Sequence, residues 1–287
     1  MLKIENTEVM GWEHAIRGMR NPMNSWEKSD SEPGCEVVTG SHEYCRECDE
    51  AMFIHGERVC PHNKVDFVVG YNDYDLMMSL AKGGPVHAKY RRMITVYLDI
   101  TAPFYWWKEF DTYKVGTVAN SCSTMHKIHA KEFTLEDFSC EHLLNDYKDD
   151  LFVNSLSILS ETIEHLNWMR DKFLETKDKR YWWQMIQLLP TSYNQKRTVM
   201  LNYEVLHNIY HSRKNHKLDE WHAFCDWIEN LPYSEVITME ASDPIKPGLG
   251  GVIRKSGPYP WGSGPNGIVR TQEEIEADRN RLETLHE

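Results

Sequence analysis

Apolar and polar positions alternate along residues 2–9, LKIENTEV, the period-two pattern of a strand with one face buried. Residues 11–26 predict a short helix that ends before Pro22, because proline drives the preceding residue out of helical conformation. Gly, Pro, Ser and acidic residues make 27–44 a loop. A strand follows at 64–69, KVDFVV, then a helix at 73–82 stopped by Gly83-Gly84-Pro85. Residues 93–100, MITVYLDI, carry the β-branched and aromatic side chains of the clearest strand. Pro103 suits a first helical position and opens a helix over 103–114. Residues 116–125 hold no long apolar side chain except Val118 and Met125, and read as loop.

The second half is helical in pattern. Thr134 caps a helix start at 134–139. Leu151, Ser155, Leu156, Leu159, Ile163, Leu166, Met169 and Phe173 keep helical spacing and predict one long helix from Leu151 to Thr176. Further helices are expected at 180–188, at 194–213 beyond the break at Pro190, and at 218–231 ahead of Pro232. From 242 on, proline and glycine dominate before a charged, helix-prone end, so 242–287 reads as a tail without a core of its own. The expected organisation is an α/β (α+β) domain over 1–241, with a cysteine-rich insertion at 33–63, followed by that tail.

Composition narrows the class. The 287 residues are 41% hydrophobic and 26% charged, as in a globular protein. No apolar run approaches the roughly 20 residues a membrane helix needs, and the N-terminus lacks a signal-peptide core. A cytoplasmic protein without a membrane partner is expected. The net charge of −12 argues against general nucleic-acid binding. It leaves room for a local basic pocket that holds one nucleotide. Ten Trp and 14 Tyr supply flat side chains that stack on rings, although most such residues fill cores.

Cys35, Cys45, Cys48 and Cys60 lie within 26 residues, with Cys45 and Cys48 as a C-x-x-C pair and His62 just beyond. Two thiolates at that spacing turn back on one ion, and two more ligands complete a tetrahedron. The expected site is structural zinc held by the four cysteines, or by Cys45, Cys48, Cys60 and His62. The other reading is a loop of free thiols, since a reducing cytoplasm disfavours disulfides.

Two stretches, 102–127 and 181–221, carry a resemblance to the flavin-dependent thymidylate synthases. That family's signature runs Arg-His-Arg, two residues, Ser, one residue, Asn, two residues, Ser, one residue, Arg-Tyr. It follows a strand and an Ala-Pro-opened helix with a Gln three residues before the first Arg. Here Ala102-Pro103 follows the strand at 93–100, and the Gln position falls on Glu109. Thr112, Tyr113 and Lys114 take the Arg-His-Arg positions, and Thr117 the first Ser. With one inserted residue, Asn120 and Ser123 match the Asn and second Ser, while Met125 and His126 replace Arg-Tyr. Without it, Cys122 takes that Ser position. The later pattern matches in spacing: Leu189-Pro190, then Asn202 12 residues beyond Pro190, then Arg213 11 beyond Asn202. Gly84-Pro85-Val86-His87 resembles the family's Ser-Pro-x-Glu-His one residue short, and Ala15-Ile16-Arg17 its early Ala-Arg. The resemblance spans about 2–26 and 64–230; the cysteine insertion and the tail lie outside it.

The resemblance implies a subunit with a central sheet and long C-terminal helices, acting as a homotetramer. It implies FAD and dUMP as ligands, with methylenetetrahydrofolate and NADPH as co-substrates for making dTMP. It places Ser123 and Arg213 in the catalytic set. Glu109, Lys114, Asn120, Ser123 and Arg213 would bind substrate, and His87, Tyr113, Lys114 and Asn202 the flavin. The chemistry is of the right kind: Arg grips phosphate or a uracil edge, and an amide such as Asn202 can both donate and accept. The arginine grip is thinned, because Thr112, Met125 and Ile186 stand where the family has or often has Arg. Lys108, Arg197 or Lys127 nearby are candidates to compensate. Three functions follow in order: an active flavoenzyme, a nucleotide- or flavin-binding protein that lost the reaction, and a zinc-containing interaction module.

Overall fold

The computed structural model describes residues 2–34, 52–54, 57–59, 66–145 and 154–240. The cysteine insertion with Cys35, Cys45, Cys48 and Cys60 and the tail at 242–287 lie outside these residues. Strand β1 (Lys3–Met10) leads into helix α1 (Trp12–Arg20). Short strands follow: β2 (Glu32–Gly34), β3 (Met52–Ile54), β4 (Glu57–Val59) and β5 (Asp66–Val68). Of these, β2 pairs with β5 and β3 with β4, both antiparallel. Next come α2 (Tyr71–Lys82), β6 (Thr95–Pro103), α3 (Phe104–Phe110), β7 (Val118–Ser121) and α4 (Thr124–Lys127). The rest is α5 (Ser155–Thr176), α6 (Lys179–Leu188), β8 (Asn194–Asn202), α7 (Tyr203–Arg213), α8 (Asp219–Glu229) and α9 (Glu235–Thr238). The four longer-range strands form an antiparallel sheet in the order β1-β6-β8-β7.

Two expectations need correction. The helix expected over 194–213 is a strand, β8, as far as Asn202, and helical only from Tyr203. The expected loop at 116–125 contains strand β7 and the start of α4. Two smaller ones concern α3, which ends at Phe110 rather than 114 and has Pro103 just outside it, with φ −68° and ψ 153°. Its first free N–H groups are satisfied by the main chain: Phe104 N donates to the Tyr193 carbonyl and Tyr105 N to the Thr191 carbonyl, both at 3.1 Å.

The chain divides into two units. The first comprises Met1–Thr7, Tyr97–Met200 and His216–Phe224. Its β6 residues alternate between buried and less buried, with Leu98, Ile100 and Ala102 inward. Trp106, Trp107 and Phe110 of α3 are buried with Trp221 and Phe224, and the Trp106 ring centre lies 4.8 Å from that of Trp221. Burying side chains of this size is worth about 1.5–3 kcal/mol each. A separate apolar cluster joins the α5–α6 hairpin (Leu159, Ile163, Leu166, Met185) to Ile128, Phe133 and Phe138. Asn154 caps α5 by accepting from Ser157 N at 2.7 Å, and Asp178 caps α6 by accepting from Arg180 N at 2.9 Å.

The second unit comprises Glu8–Val96, Leu201–Asn215 and Cys225–Glu287. Trp12, Ile16, Met77, Tyr90, Ile94, Tyr203, Leu206, Ile209 and Ile237 are buried in it. Gly11 precedes α1 at φ +95°, and a Cβ there would stand 2.2 Å from the Met93 carbonyl oxygen, so no side chain is tolerated. Asp73 is fully buried and satisfied: it accepts from Arg20 Nε at 2.5 Å and from the Ser29 and Ser31 hydroxyls at 2.6 Å.

Candidate functional site

The sequence candidates fall in both units. Glu109, Tyr113, Lys114, Asn120 and Ser123 belong to the first; His87, Asn202 and Arg213 belong to the second.

Glu109 lies in the last turn of α3. Its Oε2 accepts from the Trp221 indole at 3.0 Å and lies 3.3 Å from His216 Nε2. The Nδ1 of that histidine accepts the Leu218 N–H at 3.2 Å. A ring nitrogen that accepts carries no proton, so His216 is the Nε2–H tautomer and donates to Glu109. The imidazole and the indole thus both approach one oxygen of the carboxylate. The Tyr113 ring sits edge-on to Trp221 at 6.2 Å, half-buried. Nothing in the periodicity of 216–221 marks His216 or Trp221 as partners of Glu109, since they are joined only by packing. A parallel contact, from the Tyr105 hydroxyl to the Glu220 carboxylate, lies in the same unit. Burial, followed by that hydrogen bond, raises the Tyr105 hydroxyl above the usual tyrosine range.

The run of small polar residues is split by strand register. Asn120 is opposite Thr198 and Ser121 opposite Arg197, and side chains one residue apart in a strand point to opposite faces. Thr198 donates to Asp99 at 2.6 Å, Asn6 donates to its other oxygen at 3.0 Å, and Lys196 lies 3.1 Å away. The Thr198 hydrogen bond, with those of Asn6 and Lys196, holds the Asp99 carboxyl below its ordinary range. Ser121 instead shares its face with Arg197. Beyond the strand, Ser123 caps α4, its hydroxyl oxygen accepting from His126 N at 2.9 Å. The hydroxyl hydrogen stays available to donate. Lys114 is exposed before the turn at Gly116, and its carbonyl accepts from Thr117 N.

In the second unit Asn202 caps α7, its Oδ1 accepting from the Glu204 and Val205 N–H groups, both at 3.1 Å. This commits the side-chain carbonyl and leaves the amide donors. Arg213 ends the same helix, so the two are separated by about 16 Å of helical rise. His87 is exposed in the turn after Gly84, and its N–H donates to the Gly84 carbonyl at 3.0 Å. Side-chain spacing does not announce the buried ion pair in this unit, Arg91 with Glu204 at 3.7 Å. Nor does it mark His207 and His211, whose rings meet edge-on at 4.4 Å and both approach the Ile237 carbonyl, at 2.7 and 3.3 Å. Burial, with Arg91 and His211 beside it, pushes His207 down to about 4.

Among the described residues no group of three or more His, Cys, Asp or Glu is placed to hold a metal, and no helix is long and apolar enough to cross a membrane.

No family model and no curated protein matches this chain. Solved structures do. Thymidylate synthase X (ThyX) from Helicobacter pylori, solved with FAD and dUMP, aligns with a TM-score of 0.51 at 13% identity, covering 84% of this chain and 98% of that one. A second structure of the flavin-dependent thymidylate synthase from that organism, also complexed with FAD and dUMP, aligns with the same TM-score at 14% identity, over 83% and 98%. A UMP/dUMP methylase from Streptomyces cacaoi bound with 5-Br UMP gives a TM-score of 0.46 at 11% identity, over 80% and 88%. The fold is therefore that of a flavin-dependent thymidylate synthase, as the sequence resemblance implied.

Proposed function

We propose that the protein is a flavin-dependent enzyme that methylates the pyrimidine ring of dUMP, or of a related nucleotide. The carrying observation is the fold shared over 98% of the H. pylori synthase that was solved with FAD and dUMP. The positions of Asn202 and Arg213 at the two ends of one helix support it. In the full reading, methylenetetrahydrofolate supplies the one-carbon unit, NADPH the reductant, and the product is dTMP. The protein works as a cytoplasmic homotetramer, and the cysteine insertion holds a structural zinc.

The residues present suit both ligands. Asn202 keeps its amide donors, Tyr113 offers a half-buried ring, and His87 and Lys114 are exposed to reach a cofactor. Bound reduced FAD would supply the electrons that turn a transferred methylene into a methyl group. Arg213 would grip the uracil edge or the phosphate. Glu109, oriented by Trp221 and His216, would accept a ring N–H. Ser123 would donate its hydroxyl hydrogen to the nucleotide.

A second reading is a protein that binds nucleotide or flavin without the reaction. The observation favouring it is the loss of arginine at 112 and 125. The visible absorption spectrum of the purified protein separates the two, before and after adding FAD and then dUMP. A flavin band that shifts on adding dUMP is expected. A colourless protein that takes up nucleotide but no FAD overturns the enzymatic reading.

A further inference from the structure

The stretch from Thr112 to Met125 contains a single basic side chain, Lys114. Strand β8 brings it a second. Arg197 stands directly opposite Ser121 in the β7–β8 ladder, a register that sets the two Cβ atoms about 4.5–5.5 Å apart on one face. Its guanidinium carbon lies 4.1 Å over the Trp107 ring. Nε donates to Gln195 at 3.0 Å, and Nη1 donates to Asp111 at 2.7 Å. Gln195 is itself fixed: its side-chain amide donates to the Cys122 carbonyl at 2.8 Å, and its main-chain carbonyl accepts from the Trp107 indole at 2.9 Å. The Cys122 N–H donates to the Lys196 carbonyl at 2.9 Å. Guanidinium, glutamine and the 121–123 segment are therefore locked together.

Among the described residues these contacts occupy two of the five N–H donors of Arg197. The side chain is 14% exposed, so the cation is shielded yet reachable. We propose that Arg197 binds the phosphate monoester of the pyrimidine nucleotide, with the Ser121 hydroxyl as a second donor. The planar fork suits a phosphate, and a group already held in place loses little freedom on binding. Asp111 orients the fork and partly offsets its charge. The assignment rests on the nucleotide-binding reading.

The test is calorimetry with dUMP and with deoxyuridine, which lacks the phosphate, on the FAD-loaded wild type and on R197M, R197K and D111N. Circular dichroism first checks that each variant is folded. R197M is expected to weaken dUMP binding by about tenfold or more and leave deoxyuridine unchanged. R197K keeps the charge but loses the fork and falls between. D111N, which removes the competing carboxylate, is expected to tighten dUMP binding by about threefold or more. A purely structural Arg197 would weaken both ligands alike in R197M and gain nothing in D111N, and that result overturns the assignment while leaving nucleotide binding intact. A wild type that binds neither ligand overturns the nucleotide reading itself.

Discussion

Glu109 stands where an amide would be neutral, and its neighbours explain how a carboxylate is kept there. Two N–H donors, from Trp221 and His216, satisfy one of its oxygens. A glutamine oxygen accepts in the same way, so Glu109→Gln should change stability by less than about 1 kcal/mol. Glu109→Ala removes the acceptor for the Trp221 indole and should cost about 1–3 kcal/mol in urea unfolding. Equal losses in the two variants would show that the acceptor is not what matters. His207 gives a pH dependence. The groups acting on it are Arg91, His211, Glu240 and the Ile237 carbonyl, and Arg91 is itself paired with Glu204. Its folded value of about 4 lies below the ordinary 6.5, so it stays neutral in the fold while the unfolded chain takes up a proton. Its stabilisation is full above pH 6.5 and is lost as the pH falls from there through about 4. Unfolding free energies measured from pH 7 to 4 should fall less steeply in His207→Gln, which can still donate to Ile237. Parallel slopes would remove His207 from the account.

Among the elements, α7 invites the cleanest separation of structure from ligand binding. Asn202 caps this helix through its carbonyl, and its amide donors are the part proposed above to meet the flavin. Asn202→Asp preserves the cap and loses the amide donors; Asn202→Ala loses both, at about 1 kcal/mol for the cap. Melting curves should place Asp near wild type and Ala below it, while flavin titration should show both weakened by about tenfold. Unchanged flavin affinity in Asn202→Asp would sink the amide's role. The body of helix α5, the strand β6 and Thr134 as a cap follow from side-chain spacing and local hydrogen bonding, which sequence records; Asn154, expected inside a helix from Leu151, instead caps one that starts at Ser155. Strand β8 does not. Its Gln, Lys, Arg, Met and Leu favour helix, and its true period-two burial, with Gln195, Val199 and Leu201 inward, arises from pairing with neighbours far along the chain. The whole of β7 is exposed, so no apolar alternation announces it. The same limit hid part of the candidate site. Spacing marks Asn202 and Arg213, but Arg197 beside Ser121 and His216 beside Glu109 depend on register and packing.

At the scale of the molecule, two matters lie beyond any single element. The first is the metal. Cys35, Cys45, Cys48 and Cys60 lie outside the described residues, and their spacing remains that of a tetrahedral thiolate site. Elemental analysis of protein prepared without chelator should find about one zinc per chain; less than about half an atom would count against the site. The second is how the two units draw on the sequence. Each is assembled from three separate segments, alternating along the chain from Met1–Thr7 to Cys225–Glu287. No single cut in the gene frees either unit, and no exchange of halves with a relative transplants one whole. Such an architecture is closed to shuffling as a route of change. Change in it must come instead by individual substitutions, each of which has to be accommodated in place.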